Sequence, residues 1–343
     1  MKRRVTQLLC LGAALILSRT VHAQSWQATA GAESRERGSQ ALAFLPNEMW
    51  IHERDSITWT FPTHERHTLT FLANGQVRPP GFGPTFGVLV GCPGVTADWS
   101  PFSGSSCVTS DVLRLTDENP STSPLTYTVT FPSVGNFKMV CLVHADMTGV
   151  IHVVSASEAL PHDQSFYDDQ GRKQARGLLA TASRLRKREG GDTDDDDQWS
   201  GSSVAAGVGA ITTPSGAGSQ TASLMRFLHE LIVVGVGDTV EWTNLDPSIN
   251  HTVTFGTEPT DPRPRSANVQ PTSDGARQTV ISSLSDSVNS GFLSPAPQDR
   301  ANLAQSAPGS TRFRVTFTAP GVFNYICAIH DELGMKGTVI VHP

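Results

Sequence analysis

At 343 residues the chain exceeds what one hydrophobic core usually organises, so two domains of ordinary size are expected. Aromatic residues make up only 7% while Gly and Pro number 30 and 22, a balance that favours short strands joined by turns and points to an all-β fold. The net charge of -6 is modest, and the Lys and Arg residues are not gathered into one face, which excludes the electrostatic footprint of a nucleic-acid binder.

The N-terminus reads "MKRRVTQLLCLGAALILSRTVHAQ". Lys2, Arg3 and Arg4 precede an apolar run from Leu8 to Leu17, and Val21, His22 and Ala23 form a small-residue cleavage site, the pattern of a secretory signal over residues 1–23. The apolar run is shorter than the ~20 residues needed to span a bilayer, and no later segment comes closer. The expected product is an exported protein without a transmembrane span, periplasmic or extracellular.

Next comes "FLPNEMWIHERDSITWTF" at 44–61, in which Ile57, Trp59 and Phe61 alternate with Thr58 and Thr60 as in a half-buried strand. "HTLTF" from His67 alternates likewise. A long Gly/Pro/Ser-rich stretch at 72–124 carries Cys92 and Cys107, which in an oxidising compartment either form a disulfide, worth roughly 3 kcal/mol for so short a loop, or remain as two buried thiols. "YTVTF" at 127–131 and "NFKMVC" lead to Cys141, and "GVIHVV" closes the first half.

Residues 156–200 read as a linker. Leu178, Leu179, Ala182 and Leu185 share one helical face, although Gly171 and Gly177 weaken the start of that helix. The run "GGDTDDDDQWSGSS" follows as an acidic, solvated hinge that lacks the spaced ligands of a calcium loop.

The second half then repeats the first. "FLHELIVVGVGDTVEWTN" at 227–244 aligns without gaps on 44–61, so that Phe227 meets Phe44, Asp238 meets Asp55 and Trp242 meets Trp59. "HTVTF" from His251 meets "HTLTF", and "VTFTAPGVFNYICAIH" ending at His330 meets "VTFPSVGNFKMVCLVH" ending at His144. Two copies of one unit are implied, at 24–155 and 201–343, each a sandwich of two sheets.

In register across the copies stand His67, Cys141, His144 and Met147, and His251, Cys327, His330 and Met335. Alone, a buried Cys or Met is most often core filler, and Cys141 and Cys327 have as their only alternative partner each other. Taken together, two imidazoles, a thiolate and a weak axial thioether are the ligand set of a blue-copper electron-transfer centre, with soft sulfur holding Cu(I) and imidazole suiting Cu(II) as well. Two coppers per chain are expected.

These residues carry a resemblance. With "GDTVEWTN", "HTVTF" and "GVFNYICAIHDELGMKG" in the second copy, the chain resembles the cupredoxins, the family of plastocyanin, amicyanin and pseudoazurin, over roughly 40–154 and 204–343. The loop Cys-x-x-His-x-x-Met of the first copy has the shorter, amicyanin-like length, and Cys-x-x-His-x-x-x-x-Met of the second is plastocyanin-like. "SGFLSP" at 290–295 also resembles the segment before the cysteine hairpin in that family. The resemblance implies two Greek-key β-sandwich domains joined by a partly helical linker. It further implies a protein that passes single electrons between exported redox partners, with His144 and His330 as exit points among the apolar neighbours Leu142, Val143, Ala328 and Ile329.

Two departures stand out: Thr68 and Thr252 occupy the place where many cupredoxins carry Asn, and Arg54 stands where the second copy has Gly237. Copper storage or delivery is the alternative from another class. A two-domain copper oxidoreductase of the nitrite reductase kind is a third, but it needs histidines beside the cysteines. Val140 and Leu142 flank Cys141, Ile326 and Ala328 flank Cys327, and His52, His64 and His152 read as loop or surface-strand residues rather than a catalytic copper site. An electron carrier, not an enzyme, is expected.

Overall fold

The computed structural model describes residues 23–79, 81–82, 89–90, 92, 99–117, 125–190, 202–295 and 310–343. The secretory signal, but for Ala23, and the acidic run of the linker lie outside them.

In the first half, β1 (Ser25–Glu33), β2 (Ser39–Leu45), β3 (Glu48–His52), β4 (Ser56–Phe61) and β5 (Thr70–Phe71) are followed by the short pair β6 (Gly81–Phe82) and β7 (Leu89–Val90), then β8 (Val108–Thr109), β9 (Leu125–Thr130), β10 (Gly135–Val140) and β11 (Thr148–Val154). After helix α1 (Gln164–Gly190) the second half holds β12 (Ser203–Ser215), β13 (Gly218–Leu228), β14 (Leu231–Gly235), β15 (Thr239–Leu245), β16 (Thr254–Phe255), β17 (Gln270–Pro271), β18 (Arg277–Ile281), β19 (Val288–Asn289), β20 (Arg312–Phe317), β21 (Gly321–Ile326) and β22 (Lys336–His342). The all-β expectation holds, with α1 as the one long helix among the described residues.

Alternation does what the sequence implied. Ile57, Trp59 and Phe61 are fully buried while Thr58 and Thr60 are only partly so, and Val240 and Trp242 repeat this in the second half. Those inward faces pack against Phe71, Met139 and Ile151 in one core, and against Phe255, Tyr325 and Val339 in the other. The pairings repeat as well. β1 runs parallel to β4 as β12 does to β15, and β3 runs parallel to β11 as β14 does to β22.

The repeat therefore starts one strand earlier than Phe44 and Phe227, at β1 and β12. Each of those strands carries a bulge, between Ala30 and Ala32 and between Ala206 and Val208, where Gly31 and Gly207 take φ of 80° and 81°. Arg54 and Gly237 also share a left-handed conformation, φ 73° and 97°, and their N–H groups donate to Phe131 and Phe317. The turn is the same in both halves, with Arg54 holding a conformation that glycine adopts at lower cost.

The halves are not separate sandwiches. β2 and β13 pair antiparallel, Thr221 opposite Leu42 and Leu224 opposite Ser39, so one ten-stranded sheet runs β17-β18-β20-β15-β12-β13-β2-β1-β4-β9 through both. Two five-stranded sheets, β3-β11-β10-β5-β8 and β14-β22-β21-β16-β19, complete the layers. α1 straps the seam. Its Leu178 and Ala182 pack with Ala41, Ala43, Leu45 and Ala222, and its Leu185 with Val208, Leu224 and Leu228.

The Asp163 carboxylate accepts the N–H of Phe166 at 3.0 Å and caps the start of α1. Gly171 does not break the helix; it sits where a Cβ would press on the Leu45 backbone at 3.1 Å, so its lack of a side chain lets helix and strand approach. In the loop between β5 and β9, Cys92 and Cys107 are joined in a disulfide. The corresponding stretch of the second half supplies β17 and β18, which extend the ten-stranded sheet beyond β20.

Candidate metal centre

Each site is assembled from one residue on a strand-like segment and three on a hairpin loop. His67 follows β4 and is gripped backbone to backbone by Leu113, with N–H···O distances of 3.1 and 2.9 Å. His251 is held in the same way by Leu293, at 3.1 and 2.7 Å. Cys141 directly follows β10 and Cys327 directly follows β21, and the loops that begin there run into β11 and β22.

The N–H of each cysteine donates at 3.0 Å to the carbonyl of Met147 or Met335, closing each loop at its base. The two extra residues of the second loop are taken up by a single 3-10 turn, Asp331–Leu333, ended by Gly334 in a left-handed conformation.

Side chains converge as a result. The donor atoms of His67, Cys141 and His144 lie within 4.8 Å of one another, as do those of His251, Cys327 and His330, and all six residues are buried. Cys141 Sγ is 3.6 Å from His144 Nδ1; Cys327 Sγ is 3.4 Å from His330 Nδ1 and 3.9 Å from His251 Nδ1. Met147 and Met335 are fully buried in the same cores as their cysteines.

The ring nitrogens of His67 and Nε2 of His251 are buried without a hydrogen-bond partner. A buried imidazole left unsatisfied is costly, and an ion within the cluster would supply what is missing at a nitrogen turned toward it. Gly31 and Gly207 make room for these rings, since a Cβ would fall 2.5 Å from His67 Nε2 and 2.1 Å from His251 Nε2.

The sulfurs are braced identically. Thr68 and Thr252 donate their N–H to Cys141 and Cys327 Sγ at 3.4 and 3.3 Å. Their hydroxyls accept the N–H of Leu142 and Ala328 at 2.7 and 2.8 Å. Threonine thus ties the histidine segment to the cysteine loop. Arg78 clamps the first loop from outside by donating to the carbonyls of Cys141, His144 and Ala145, and Arg226 donates to Leu333 in the second.

One residue had no signal in the repeat. Glu65, two positions before His67, is matched in the second half by Ile249 and is buried between the halves. Its Oε1 lies 3.4 Å from His144 Nε2 and its Oε2 lies 3.6 Å from His330 Nε2. Burial opposes its ionisation, but hydrogen bonding to His144 and the charges of His330, His144 and Arg66 outweigh that and hold its carboxyl well below the usual range.

In the first site burial is likewise outweighed: His144 draws the Cys141 thiol well below its ordinary value, while Cys141 and Glu65 raise His144 to about 10. In the second site burial dominates, pushing Cys327 up to about 11 and His330 down to about 4.

The expectation that His144 and His330 form exposed exit points is corrected here. They are 2% and 3% exposed and face each other through Glu65, whose carboxylate lies between the two rings. His64 is held by Glu33 at 2.7 Å, His152 stacks on Trp50 and contacts Asn136 and Glu48, and His52 bonds the Glu158 carbonyl. These three histidines lie outside both clusters.

A family model described as copper binding proteins, plastocyanin/azurin family, matches residues 215–342. Among solved structures, amicyanin from Paracoccus versutus (Thiobacillus versutus) is similar at 15% identity, with 39% of this chain and 86% of that one covered and a TM-score of 0.23. Oxidized plastocyanin from Dryopteris crassirhizoma is similar at 17% identity, with 41% and 99% covered and a TM-score of 0.20. No curated relative matches the chain. Residues 215–342 thus match the plastocyanin/azurin family of copper-binding proteins, and the strand order and His/Cys/His cluster of that half are repeated in the first half.

Proposed function

We propose that the chain is an exported type 1 copper protein that transfers single electrons, with one copper in each half. The ligands are His67, Cys141, His144 and Met147 in the first half and His251, Cys327, His330 and Met335 in the second. The observation that carries this reading is the pair of buried His/Cys/His clusters, in each of which one sulfur and two imidazole donors lie within 4.8 Å of one another. Copper would supply a one-electron couple at a buried site with one thiolate and two imidazoles. The protein's part is to hold donors rigidly, so that little has to move when the charge changes.

The strand-held histidine, the threonine brace and the clamped loops supply that rigidity. No helix among the described residues is long and apolar enough to cross a membrane, which accords with an exported carrier that meets redox partners by diffusion. His144, Glu65 and His330 form a contiguous chain of buried polar groups between the sites, so the two halves are read as one electron-carrying unit.

The test is to load the purified protein with copper, count the metal and record the thiolate-to-copper charge-transfer band. Two coppers and an intense blue colour are expected, with Cys141→Ser and Cys327→Ser each removing about half of it. A colourless protein that binds only exchangeable Cu(I) would replace this reading with copper delivery, and nitrite or oxygen turnover with a third, non-blue copper would replace it with an enzyme.

A further inference from the structure

We propose that Glu65 is a positioning residue shared by both metal sites, a single carboxylate that holds the outer imidazole edges of His144 and His330 at once. The inference rests on the copper reading above and adds to it an anchor common to the two halves. The two contacts use different oxygens, Oε1 to His144 at 3.4 Å and Oε2 to His330 at 3.6 Å, so one does not displace the other. Each ring turns its other nitrogen, Nδ1, toward its own cysteine, at 3.6 and 3.4 Å.

A neutral imidazole that offers Nδ1 to an ion carries its proton on Nε2, and Nε2 is the atom that faces Glu65 in both halves. A carboxylate on the outer N–H of a ligating histidine fixes its tautomer, orients the ring and raises its basicity. Ordinarily each ligand would have its own such partner. Here one residue of the first half serves a ligand in each.

The setting supports a built anchor rather than a chance approach. Glu65 is 3% exposed, and its main chain is fixed because its carbonyl accepts the Thr63 hydroxyl at 3.2 Å. The neighbouring Arg66 donates to the Ile329 carbonyl at 3.1 Å, pinning the segment across the seam. A cavity of about 40 Å3 beside the carboxylate is lined by the apolar Val143, Ile249, Phe292 and Ile329 together with the polar Arg66, Ser248 and Asn250. Glu65 is in neither of the two His/Cys/His groups whose donor atoms converge, and its carboxylate sits between the two rings.

The test uses the full chain loaded with zinc, a redox-silent probe, and then with Cu(I). In the wild type, nitrogen-proton NMR should show two imidazole Nε2–H signals, from His144 and His330, both protected from exchange with water. Glu65→Leu should lose both signals and weaken metal binding by 10–100-fold at each site, measured separately in Cys327→Ser and Cys141→Ser backgrounds. Glu65→Gln has one amide oxygen, so it should keep one protected signal and spare only one site.

Either wild-type signal exchanging as freely as an exposed imidazole would overturn the proposal, even if neither variant folds. So would unchanged affinities in a folded Glu65→Leu protein. Failure of the wild type to bind metal through either cysteine would instead sink the copper reading itself.

Discussion

At the scale of single residues, the most exposed bet of the sequence was that threonine could stand where relatives of the family often carry asparagine. The structure shows how: the hydroxyls of Thr68 and Thr252 accept the first N–H after each cysteine, and their own N–H groups reach the sulfur. Both threonines are buried, the Leu142 N–H is buried and the Ala328 N–H is half-buried, so a lost acceptor leaves a poorly satisfied donor, costing about 1–3 kcal/mol. Thr252→Val, which keeps the shape and the N–H to sulfur, should therefore lower unfolding stability by that amount, whereas Thr252→Ser should stay close to wild type. Denaturant titration of the metal-free protein decides it; equal stability of the valine and serine variants would mean that the Ala328 N–H finds another partner. Residues of this kind were legible because they recur in both copies. Glu65 was not, because one of its two ring contacts is made to the other half and its counterpart is an isoleucine.

At the scale of elements, strands were readable from alternation and from the repeat, and the loops that begin at Cys141 and Cys327 from their endpoints. The early strands β1 and β12 were missed because "SWQATAGAE" and "SVAAGVG" are rich in small residues and interrupted by bulges, which blurs the two-residue period. The turn from β15 to His251 was equally opaque, and it depends on a buried carboxylate. Asp246 accepts the N–H groups of Ser248 and Ile249 at 2.9 and 3.1 Å and the Ser223 hydroxyl. Burial pushes its carboxyl up to about 6, against those hydrogen bonds and the charge of His144. Asp146, which accepts the Ser248 hydroxyl, is the other acid at this turn.

A folded-state value above the unfolded one means that the native protein binds the extra proton between roughly pH 4 and pH 6. The contribution is fully present below that window and is lost as pH rises through it. Asp246→Asn keeps an oxygen for the turn and cannot ionise. Relative to wild type it should gain about 3 kcal/mol on going from pH 4 to pH 7, an order-of-magnitude figure from a shift of about two units. Parallel stability-against-pH curves for the two proteins would show that Asp246 does not titrate in this range.

At the scale of the whole molecule, the two copies and their sandwich layers could be read from the sequence, but their fusion could not. Edge pairing between β2 and β13 is written in backbone groups, which every sequence has, and the residues involved, Ser39 to Leu42 and Thr221 to Leu224, carry no pattern that names a partner. The helix face of Leu178, Ala182 and Leu185 was visible; that it would cover this seam was not, since amphipathicity says only that a face is buried. The cores are shared too: Met225, Ile249 and Leu333 of the second half lie in the cluster built around Trp59 and Phe71 of the first. A chain so joined should unfold in one cooperative step rather than as two independent domains. Met225→Ala provides the sharper test, because it removes a fully buried side chain on β13 that packs into the first half's core, a change that typically costs 2–5 kcal/mol. Melting of the copper-loaded single-site variants, followed by the blue band of each half and by circular dichroism, should give coincident curves that Met225→Ala shifts together. Two separated transitions, or a shift confined to the band of one half, would show that the continuous sheet joins two units that melt alone.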